Sequence, residues 1–212
     1  MSSLTVILSL LSTLAATSYA LRCTQCTSDT TTCTGSSVTC PSGSSCGTIY
    51  SESRAGILMY TNLVRSCTLI SQCNLIGSMT IQDGYMRMAI SCCNSDDCTP
   101  NVPSLPKLNS TENGLVCRSC LSSDSTWCYT SDTMKCKGVE HMCLLQTTKL
   151  GSFSTAIRGC ATKSICDLGK WTENVGGALA DVKFTCTSGG ISVHQVILTP
   201  AIICLLLLNL FF

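Results

Sequence analysis

Eight cysteine positions recur in the same order in the two halves of this chain, and the repeat constrains its fold more than any other feature. The first series runs from Cys23 to Cys92 and the second from Cys117 to Cys186, with intervals that differ by only a few residues. The flanking residues repeat as well, because "LRCTQC" matches "LVCRSC" and "VRSCTLISQC" matches "IRGCATKSIC". Self-similarity of this kind indicates repeated structural units, so the sequence predicts two tandem domains.

The cysteine content and the N-terminus together indicate an oxidising compartment. Cysteine accounts for 19 of the 212 residues, a share typical of a disulfide scaffold in a secreted chain. Residues 1–20 contain an apolar run followed by Ser18-Tyr19-Ala20, which fits the small-x-small rule for signal peptidase. We therefore expect a signal peptide at 1–20, and we favour disulfides over zinc for the two Cys-x-x-Cys pairs.

The C-terminal segment has the pattern of a signal for a glycosylphosphatidylinositol (GPI) anchor. Residues 196–212 are apolar and uncharged, and they are not followed by the Lys or Arg that is usual after a membrane-spanning helix. The small residues Thr187-Ser188-Gly189-Gly190 precede this segment, separated from it by a short polar spacer. The pattern predicts attachment at Ser188, with Thr187 and Gly189 as alternatives, and removal of 189–212. The other interpretation is a membrane span that the mature protein retains.

Alternating side chains predict antiparallel β structure in both repeats. "YMRMAISC" and "LADVKFTC" alternate with period two, and two longer stretches have the pattern of hairpins that turn near 53–56 and at Gly151. No stretch has the pattern of a long amphipathic helix. We therefore expect an all-β, disulfide-rich fold with domains at 21–98 and 117–186.

Residues 99–116 have the composition of an extended linker between these domains. The segment contains three prolines and many polar residues, without hydrophobic periodicity. It also contains Asn109-Ser110-Thr111, a sequon for N-glycosylation. We expect a glycan on Asn109, with an unoccupied sequon as the alternative.

The first repeat resembles the three-finger domain of the lymphocyte antigen six and urokinase receptor (LU) family. The resemblance lies in the start L-x-C-x-x-C, in the order of ten cysteines and in the closing "CCNSDDC". The tandem pair, with "GYMRMAISCCNSDDC" closing the first domain, is similar to the gamma-type phospholipase A2 inhibitor subunits. The resemblance covers nearly all of 21–188 and implies two tandem three-finger domains of the snake-toxin type. Thr99 stands where the family usually has Asn, which suggests an altered closure after Cys98.

The same resemblance implies a disulfide pairing by cysteine order. The adjacent Cys92 and Cys93 would have different partners, in line with the strain of a disulfide between sequence neighbours. The second repeat lacks the ninth and tenth cysteines together, which leaves none unpaired. The implied pairs are Cys23–Cys46, Cys26–Cys33, Cys40–Cys67, Cys73–Cys92 and Cys93–Cys98 in the first domain, and Cys117–Cys143, Cys120–Cys128, Cys136–Cys160 and Cys166–Cys186 in the second.

The composition argues against an enzyme, a metal site and a nucleic-acid-binding protein. The expected mature chain keeps one histidine, His141, because His194 lies in the segment predicted to be removed. Acid–base and nucleophilic catalysis normally need a positioned base. The 13 Lys and Arg residues against 12 Asp and Glu provide no strongly basic surface for nucleic acid. We expect no catalytic residue, no metal ligand and no cofactor.

Apolar and aromatic residues near the predicted finger tips are the candidates for ligand binding. Ile57 and Tyr60 follow the turn of the second finger in the first domain, Trp127 precedes Cys128, and Trp171 lies in the third finger of the second domain. Aromatic anchors dominate many protein interfaces. The alternative is that these residues cover a thin sheet or pack between the domains.

These observations predict a GPI-anchored cell-surface binding protein of the receptor or co-receptor type, whose finger loops recognise a protein ligand of unknown identity. It would be a glycoprotein on the extracellular face of the plasma membrane, with a secreted protein as the alternative. The resemblance to the gamma-type subunits implies a second function, the inhibition of a secreted phospholipase A2. A structural or adhesion protein of the cell surface is a third interpretation.

Overall fold

A computed structural model of the chain describes residues 20–175 and 178–189. Within these ranges β-strands account for almost all regular structure, and the helical elements are one four-residue helix and one short 3-10 turn. The expectation of an all-β, disulfide-rich fold is confirmed. The predicted signal peptide (1–20) and the predicted propeptide (189–212) lie outside the described residues, except for Ala20 and Gly189. No helix in the described part of the chain is long and apolar enough to span a membrane.

The strands fall into two groups along the chain. The first group contains β1 (Arg22–Ser28), β2 (Ser36–Thr39), β3 (Ser44–Ala55), β4 (Leu58–Leu69), β5 (Ile76–Ile81) and β6 (Gly84–Cys93), with a 3-10 turn at Ile70–Gln72. The second group contains β7 (Glu112–Arg118), β8 (Cys120–Ser122), β9 (Thr133–Lys137), β10 (Met142–Leu150), β11 (Phe153–Ala161), the helix α1 (Lys163–Cys166), β12 (Lys170–Val175) and β13 (Ala178–Thr187).

Contacts within the chain define two compact units. The first unit contains the described residues up to Ile49, together with Asn62–Asn74 and Ile90–Pro103. The second contains Tyr50–Thr61, Leu75–Ala89 and the described residues from Ser104 onward. The second unit therefore combines segments that lie between cysteines of the first series with the whole of the second series. The boundaries expected from the repeat remain a prediction.

The core of the first unit consists largely of sulfur. Strand β1 pairs antiparallel with β2 and with β4. Cys23, Cys40 and Cys46 are buried behind these strands, and Leu21, Cys67, Cys93 and Cys98 pack against them. Because a domain of this size buries little apolar surface, cross-links contribute a large share of its stability. The disulfides in this unit are Cys23–Cys46, Cys26–Cys33, Cys40–Cys67, Cys73–Cys92 and Cys93–Cys98.

The loop between Cys93 and Cys98 closes the first unit onto its first strand. The Arg22 amide donates to Asp96 Oδ1 at 3.0 Å, and the Asp97 amide donates to the Arg22 carbonyl oxygen at 2.7 Å. After Cys98 the chain is held by the Thr48 hydroxyl, which donates to the Pro100 carbonyl oxygen at 3.0 Å. The closure beyond Thr99 thus uses the backbone of the proline that follows it.

The second unit is built on a sheet in the order β12-β13-β10-β11-β5-β6-β3-β4, in which β3, β4 and β6 take part through Tyr50–Thr61 and Leu75–Ala89. Strand β8 pairs with β11, and β7 and β9 form a separate two-stranded sheet. The disulfides of this unit are Cys117–Cys143, Cys120–Cys128, Cys136–Cys160 and Cys166–Cys186. Cys117, Cys136 and Cys160 form its buried sulfur cluster.

Strand β5 of the first cysteine series joins β11 of the second within this unit. Met79 lies opposite Ala161 in an antiparallel register. The Thr162 amide donates to the Ser78 carbonyl oxygen at 2.9 Å, and the Ser164 hydroxyl donates to the Ile76 carbonyl oxygen at 2.7 Å. A Cβ on Gly77 would lie 2.7 Å from Ser164 Oγ, so a larger residue would force β5 away from α1. This close packing explains why β5 belongs to the second unit.

Candidate functional site

The β3–β4 hairpin ends in a strip of exposed apolar residues, Ile57-Leu58-Met59-Tyr60, which we call the finger-tip strip. Ile57 is 94 % exposed and Tyr60 57 % exposed, and Leu58 and Met59 are exposed to a similar extent as Tyr60. The turn falls at residues 56–57, at the end of the stretch where the sequence predicts it. Gly56 occupies it with φ of 60°, a left-handed conformation that favours glycine. Exposed large apolar side chains grouped at one hairpin tip are a candidate for a binding surface.

Hydrogen bonds fix the position of this turn. The Gly56 amide donates to the Asp83 carbonyl oxygen at 2.8 Å, which ties the tip of the hairpin to the β5–β6 turn. The Arg54 Nε donates to the Gly56 carbonyl oxygen at 2.9 Å. The finger-tip strip is therefore presented by a held turn, which reduces the entropy lost on binding.

A charged network braces the stem below the tip. Arg87 on β6 donates from Nε and Nη2 to the two carboxylate oxygens of Glu52 on β3, each at 3.0 Å, and the Tyr85 hydroxyl donates to Glu52 Oε1 at 2.9 Å. These hydrogen bonds, with Arg87 the largest influence, lower the pKa of Glu52 below its usual value. Arg87 Nη1 also donates to the Pro106 carbonyl oxygen at 3.1 Å, so the segment expected to be a linker contacts the stem.

The other two predicted binding residues lie on different elements. Trp127 lies between β8 and β9 and is 45 % exposed, with its ring edge-on to Tyr129 at a centroid distance of 5.8 Å. Trp171 lies on β12 opposite Val182 and is partly buried. Ile57 and Tyr60 thus share one hairpin, whereas Trp127 and Trp171 occupy separate positions in the second unit.

Some exposed apolar residues were not singled out as candidates from the sequence. Phe153, 73 % exposed, begins β11 after the Gly151 turn, as Leu58 begins β4 after the Gly56 turn. Aligning the Gly56 and Gly151 turns of the two repeats would have identified it. Leu121 on β8 and Leu179 on β13 are also exposed. No comparable repeat position points to them.

Glu140 is a buried carboxylate in the second unit, with 4 % of its surface exposed. Its Oε1 accepts hydrogen bonds from the Ser78 hydroxyl at 2.6 Å and from the Thr80 hydroxyl at 3.0 Å, both on β5. Its Oε2 is buried and has no hydrogen-bond partner among the described residues. Burial is the main cause that raises the pKa of Glu140, and the two hydroxyls and Lys137 oppose it more weakly. The carboxylate therefore joins β5 to the second cysteine series at an energetic cost when it is charged.

Replacing Glu140 with Gln is expected to stabilise the protein by about 1 kcal/mol at neutral pH, because the amide oxygen can still accept from Ser78 and Thr80 while the buried charge is removed. Since the folded pKa lies above the unfolded value of 4.5, the native protein loses stability as the pH rises from 4.5 through the folded pKa. Thermal unfolding followed by circular dichroism should show a difference between variant and native protein that grows over this range. Glu112→Gln, at an exposed ion pair with Lys135, is the control. An equal difference at every pH would contradict the prediction.

The remaining predicted positions are accessible or covalently bonded. Asn109 and Ser188 are exposed. Asn109 Oδ1 accepts from the Thr111 amide at 2.8 Å, inside the sequon itself. Two groups of cysteine sulfur atoms lie within 4.8 Å of one another, Cys23 with Cys40 and Cys67, and Cys117 with Cys136 and Cys160. All of these atoms belong to disulfides, so they offer no thiolate to a metal ion.

Comparison with known proteins places this geometry in a family. A sequence model of the u-PAR/Ly-6 domain matches residues 19–101 and again residues 113–192. The phospholipase A2 inhibitor 25 kDa subunit of Naja kaouthia is 32 % identical over 149 residues, which cover 68 % of this chain and 80 % of that protein. The phospholipase A2 inhibitor NAI of Notechis ater is 29 % identical over 151 residues, which cover 68 % and 74 %.

Two further matches are weaker. The urokinase plasminogen activator surface receptor of Aotus trivirgatus is 29 % identical over 120 residues, covering 55 % of this chain and 35 % of the receptor. A crystal structure of mouse TEX101 overlaps 77 % of this chain and 94 % of its own at 17 % identity, with a TM-score of 0.31. The family match rests on the two domain copies and on the first of the inhibitors. The chain belongs to the u-PAR/Ly-6 domain family and contains two copies of the domain.

Proposed function

We propose that this chain is an extracellular binding protein that recognises a protein ligand through the finger-tip strip. The supporting observation is the contiguous exposure of Ile57-Leu58-Met59-Tyr60 on a hairpin whose turn and stem are held by hydrogen bonds. Exposed apolar surface costs free energy in water, and burying it against a partner recovers about 25 cal/mol for each Å². A held hairpin with an apolar tip is thus suited to binding.

The proposal includes a route to the cell surface. A signal peptide at 1–20 would direct the chain into the secretory pathway, where domains at 21–98 and 117–186 would form their disulfides. A GPI anchor on Ser188 would then hold the protein at the extracellular face of the plasma membrane. Ser188 follows the last residue of β13 and is exposed, as a residue that must enter a processing enzyme should be. Only Thr187 separates it from Cys186, so the second repeat would lie close to the bilayer.

Treatment of intact expressing cells with a phosphatidylinositol-specific phospholipase C is expected to release nearly all surface protein into the medium, because the phospholipase cleaves the lipid from such an anchor. Immunoblotting of cells and medium measures the release. A chain truncated after Gly189 is the control and should be secreted without treatment. Retention on the cells, with a peptide from 196–212 still attached to the protein, would show a membrane span instead.

A second candidate function is the inhibition of a secreted phospholipase A2. It is favoured by two relatives that are named as phospholipase A2 inhibitors and that match about two thirds of this chain. The receptor function is favoured by the match to a urokinase plasminogen activator surface receptor and by the proposed anchor. Both functions need a protein-binding surface, and they differ in whether binding blocks an enzyme.

Titration of secreted phospholipases A2 with the protein purified from expressing cells separates the two functions. If the chain is an inhibitor, as the names of its relatives state for them, inhibition is expected to be complete near a one-to-one molar ratio of protein to phospholipase. Saturable binding to another extracellular protein, without loss of phospholipase activity, would support the receptor function. Absence of both inhibition and binding would refute the proposal that the chain recognises a protein ligand.

A further inference from the structure

A pocket of about 280 Å³ in the second unit has no role in the finger-tip proposal. It lies where β7, β10, β11 and β13 approach the loop that carries Trp127. Its apolar walls include Val116, Leu144 and Leu145, and Thr185 and Thr187 add hydroxyl groups. Among the described residues no acidic side chain lines it, whereas Arg118 and Arg158 both do. The pocket therefore combines apolar walls with two positive charges.

Arg158 is held in this pocket by stacking on an aromatic ring. Its guanidinium carbon lies 4.3 Å from the centroid of the Trp127 ring. On β11, Arg158 lies opposite Leu145 of β10 and Cys120 of β8, so neighbouring strands fix its backbone on both sides. The Cys120–Cys128 disulfide and a hydrogen bond from the Trp127 amide to Ser125 Oγ at 3.1 Å restrain the loop that carries the ring. The guanidinium is thus positioned before any ligand arrives.

This positioned charge has no anionic partner in the described part of the chain. The ion pairs there involve Glu52, Glu112, Asp167 and Asp181, and none of them includes Arg158 or Arg118. Arg158 Nε is buried without a hydrogen-bond partner among the same residues. Arg118 donates from Nη1 to the Thr130 carbonyl oxygen, which orients it and leaves its charge uncompensated. Partly buried charges are usually paired, so an unpaired guanidinium in a pocket indicates a site for an anion.

The shape of the pocket favours a carboxylate on a protein loop. A guanidinium binds a carboxylate with two parallel hydrogen bonds, and the apolar walls suit the methylene groups of an Asp or Glu side chain. Tyr129 lies beside Trp127 and is 92 % exposed, which gives a partner protein an aromatic contact at the rim. The volume fits one side chain and its neighbours rather than a large organic ligand.

We propose that the pocket formed by Trp127, Arg118 and Arg158 receives an acidic side chain of the protein partner. This inference rests on the proposed function in that the partner is a protein. It assigns Arg158 the role of recognising a carboxylate and Trp127 the role of holding the guanidinium in place. The site would add specificity for charge to the apolar contacts of the finger-tip strip.

Peptide titrations followed by tryptophan fluorescence test the inference without knowledge of the partner. The probes are the capped tripeptides acetyl-Leu-Glu-Leu-amide and acetyl-Leu-Gln-Leu-amide and, separately, inorganic phosphate. The protein is the secreted chain truncated after Gly189, which keeps every residue that lines the pocket. We expect a saturable change with the Glu peptide, about tenfold weaker binding of the Gln peptide, and loss of the change in Arg158→Gln. Arg158→Lys should bind about tenfold more weakly than the native protein, because lysine lacks the planar fork.

Matched variants separate recognition from folding. Trp127→Phe should remove most of the fluorescence change, and Lys107→Gln, at an exposed cation that does not line the pocket, should leave it intact. Three results would each overturn the inference. They are equal binding of both peptides, tighter binding of phosphate than of the Glu peptide, and an unchanged response in an Arg158→Gln variant that keeps the native melting temperature. If the peptide titration fails while the chain still binds a protein partner, the carboxylate site is refuted and the proposed function is not. A normal titration without any protein partner would refute the proposed function instead.

Discussion

Replacing both Cys136 and Cys160 with alanine is expected to reduce the free energy of unfolding by about 4 kcal/mol, the largest loss we expect from any single cross-link in the second unit. The disulfide closes a loop of sequence separation 24, and the loop entropy alone is worth about 3.5 kcal/mol. Both cysteines are also almost completely buried in the sulfur cluster with Cys117, so the double variant loses apolar contacts as well. A domain with so small a core has few contacts to replace them.

Removal of Cys120–Cys128 in the same way is the matched control. Its sequence separation is 8, so its loop entropy is worth about 2.5 kcal/mol, and Cys120 is only partly buried. Chemical unfolding under non-reducing conditions measures both variants, after peptide mapping has shown that the other disulfides are intact. The Cys136/Cys160 variant should be less stable than the control by about 1.5 kcal/mol, of which loop closure alone supplies about 1 kcal/mol. A difference of only about 1 kcal/mol would show that the buried sulfur cluster adds nothing beyond loop closure, and equal losses would contradict the loop-closure contribution as well.

The all-β fold could be predicted because its signals can be read directly from the sequence. They are the local alternation of side chains, the turn residues and the order of the cysteines along the chain. Alternation in "YMRMAISC" identifies a strand, now β6, and Gly151 marks the turn between β10 and β11. The cysteine order implies a pairing by resemblance to a family. The same pairs are bonded in the structure, and peptide mapping of the mature protein would test them. Alternation with period two indicates which face of a strand is buried, but it does not indicate which other strand pairs with it.

The features that were not predicted depend on contacts between distant parts of the sequence. The pairing of β5 with β11 requires the small Gly77 to face α1, which no local pattern reveals. The burial of Glu140 follows from the same pairing, because Ser78 and Thr80 reach it only when β5 lies against the second cysteine series. No local pattern singles out Arg158, since its stacking on Trp127 links residues 31 positions apart.

The combined substitution Ile57→Asp and Tyr60→Ser is expected to weaken binding of the protein ligand at least about 100-fold, which corresponds to about 2.7 kcal/mol. Both side chains point into solvent at the finger tip, so the free protein gives up no core packing when they are replaced. In the complex, the substituted side chains would leave the partner's apolar surface partly unfilled. The introduced carboxylate would also lie against that surface without a counter-charge. The effect should therefore appear in the dissociation constant and be absent from the melting temperature.

The measurement is biolayer interferometry against the secreted phospholipase A2, or the other extracellular protein, that the titrations identify. Leu108→Asp is the matched control, because Leu108 is an exposed apolar residue outside the β3–β4 hairpin. It should change the dissociation constant less than about threefold, as expected for a surface substitution outside an interface. Since Gly56 and Asp83 hold the turn through backbone atoms, the double variant should keep the hairpin and lose only its apolar tip. Native affinity in the double variant would exclude the finger-tip strip as the binding surface and direct attention to Phe153, the exposed residue that begins β11 after the Gly151 turn.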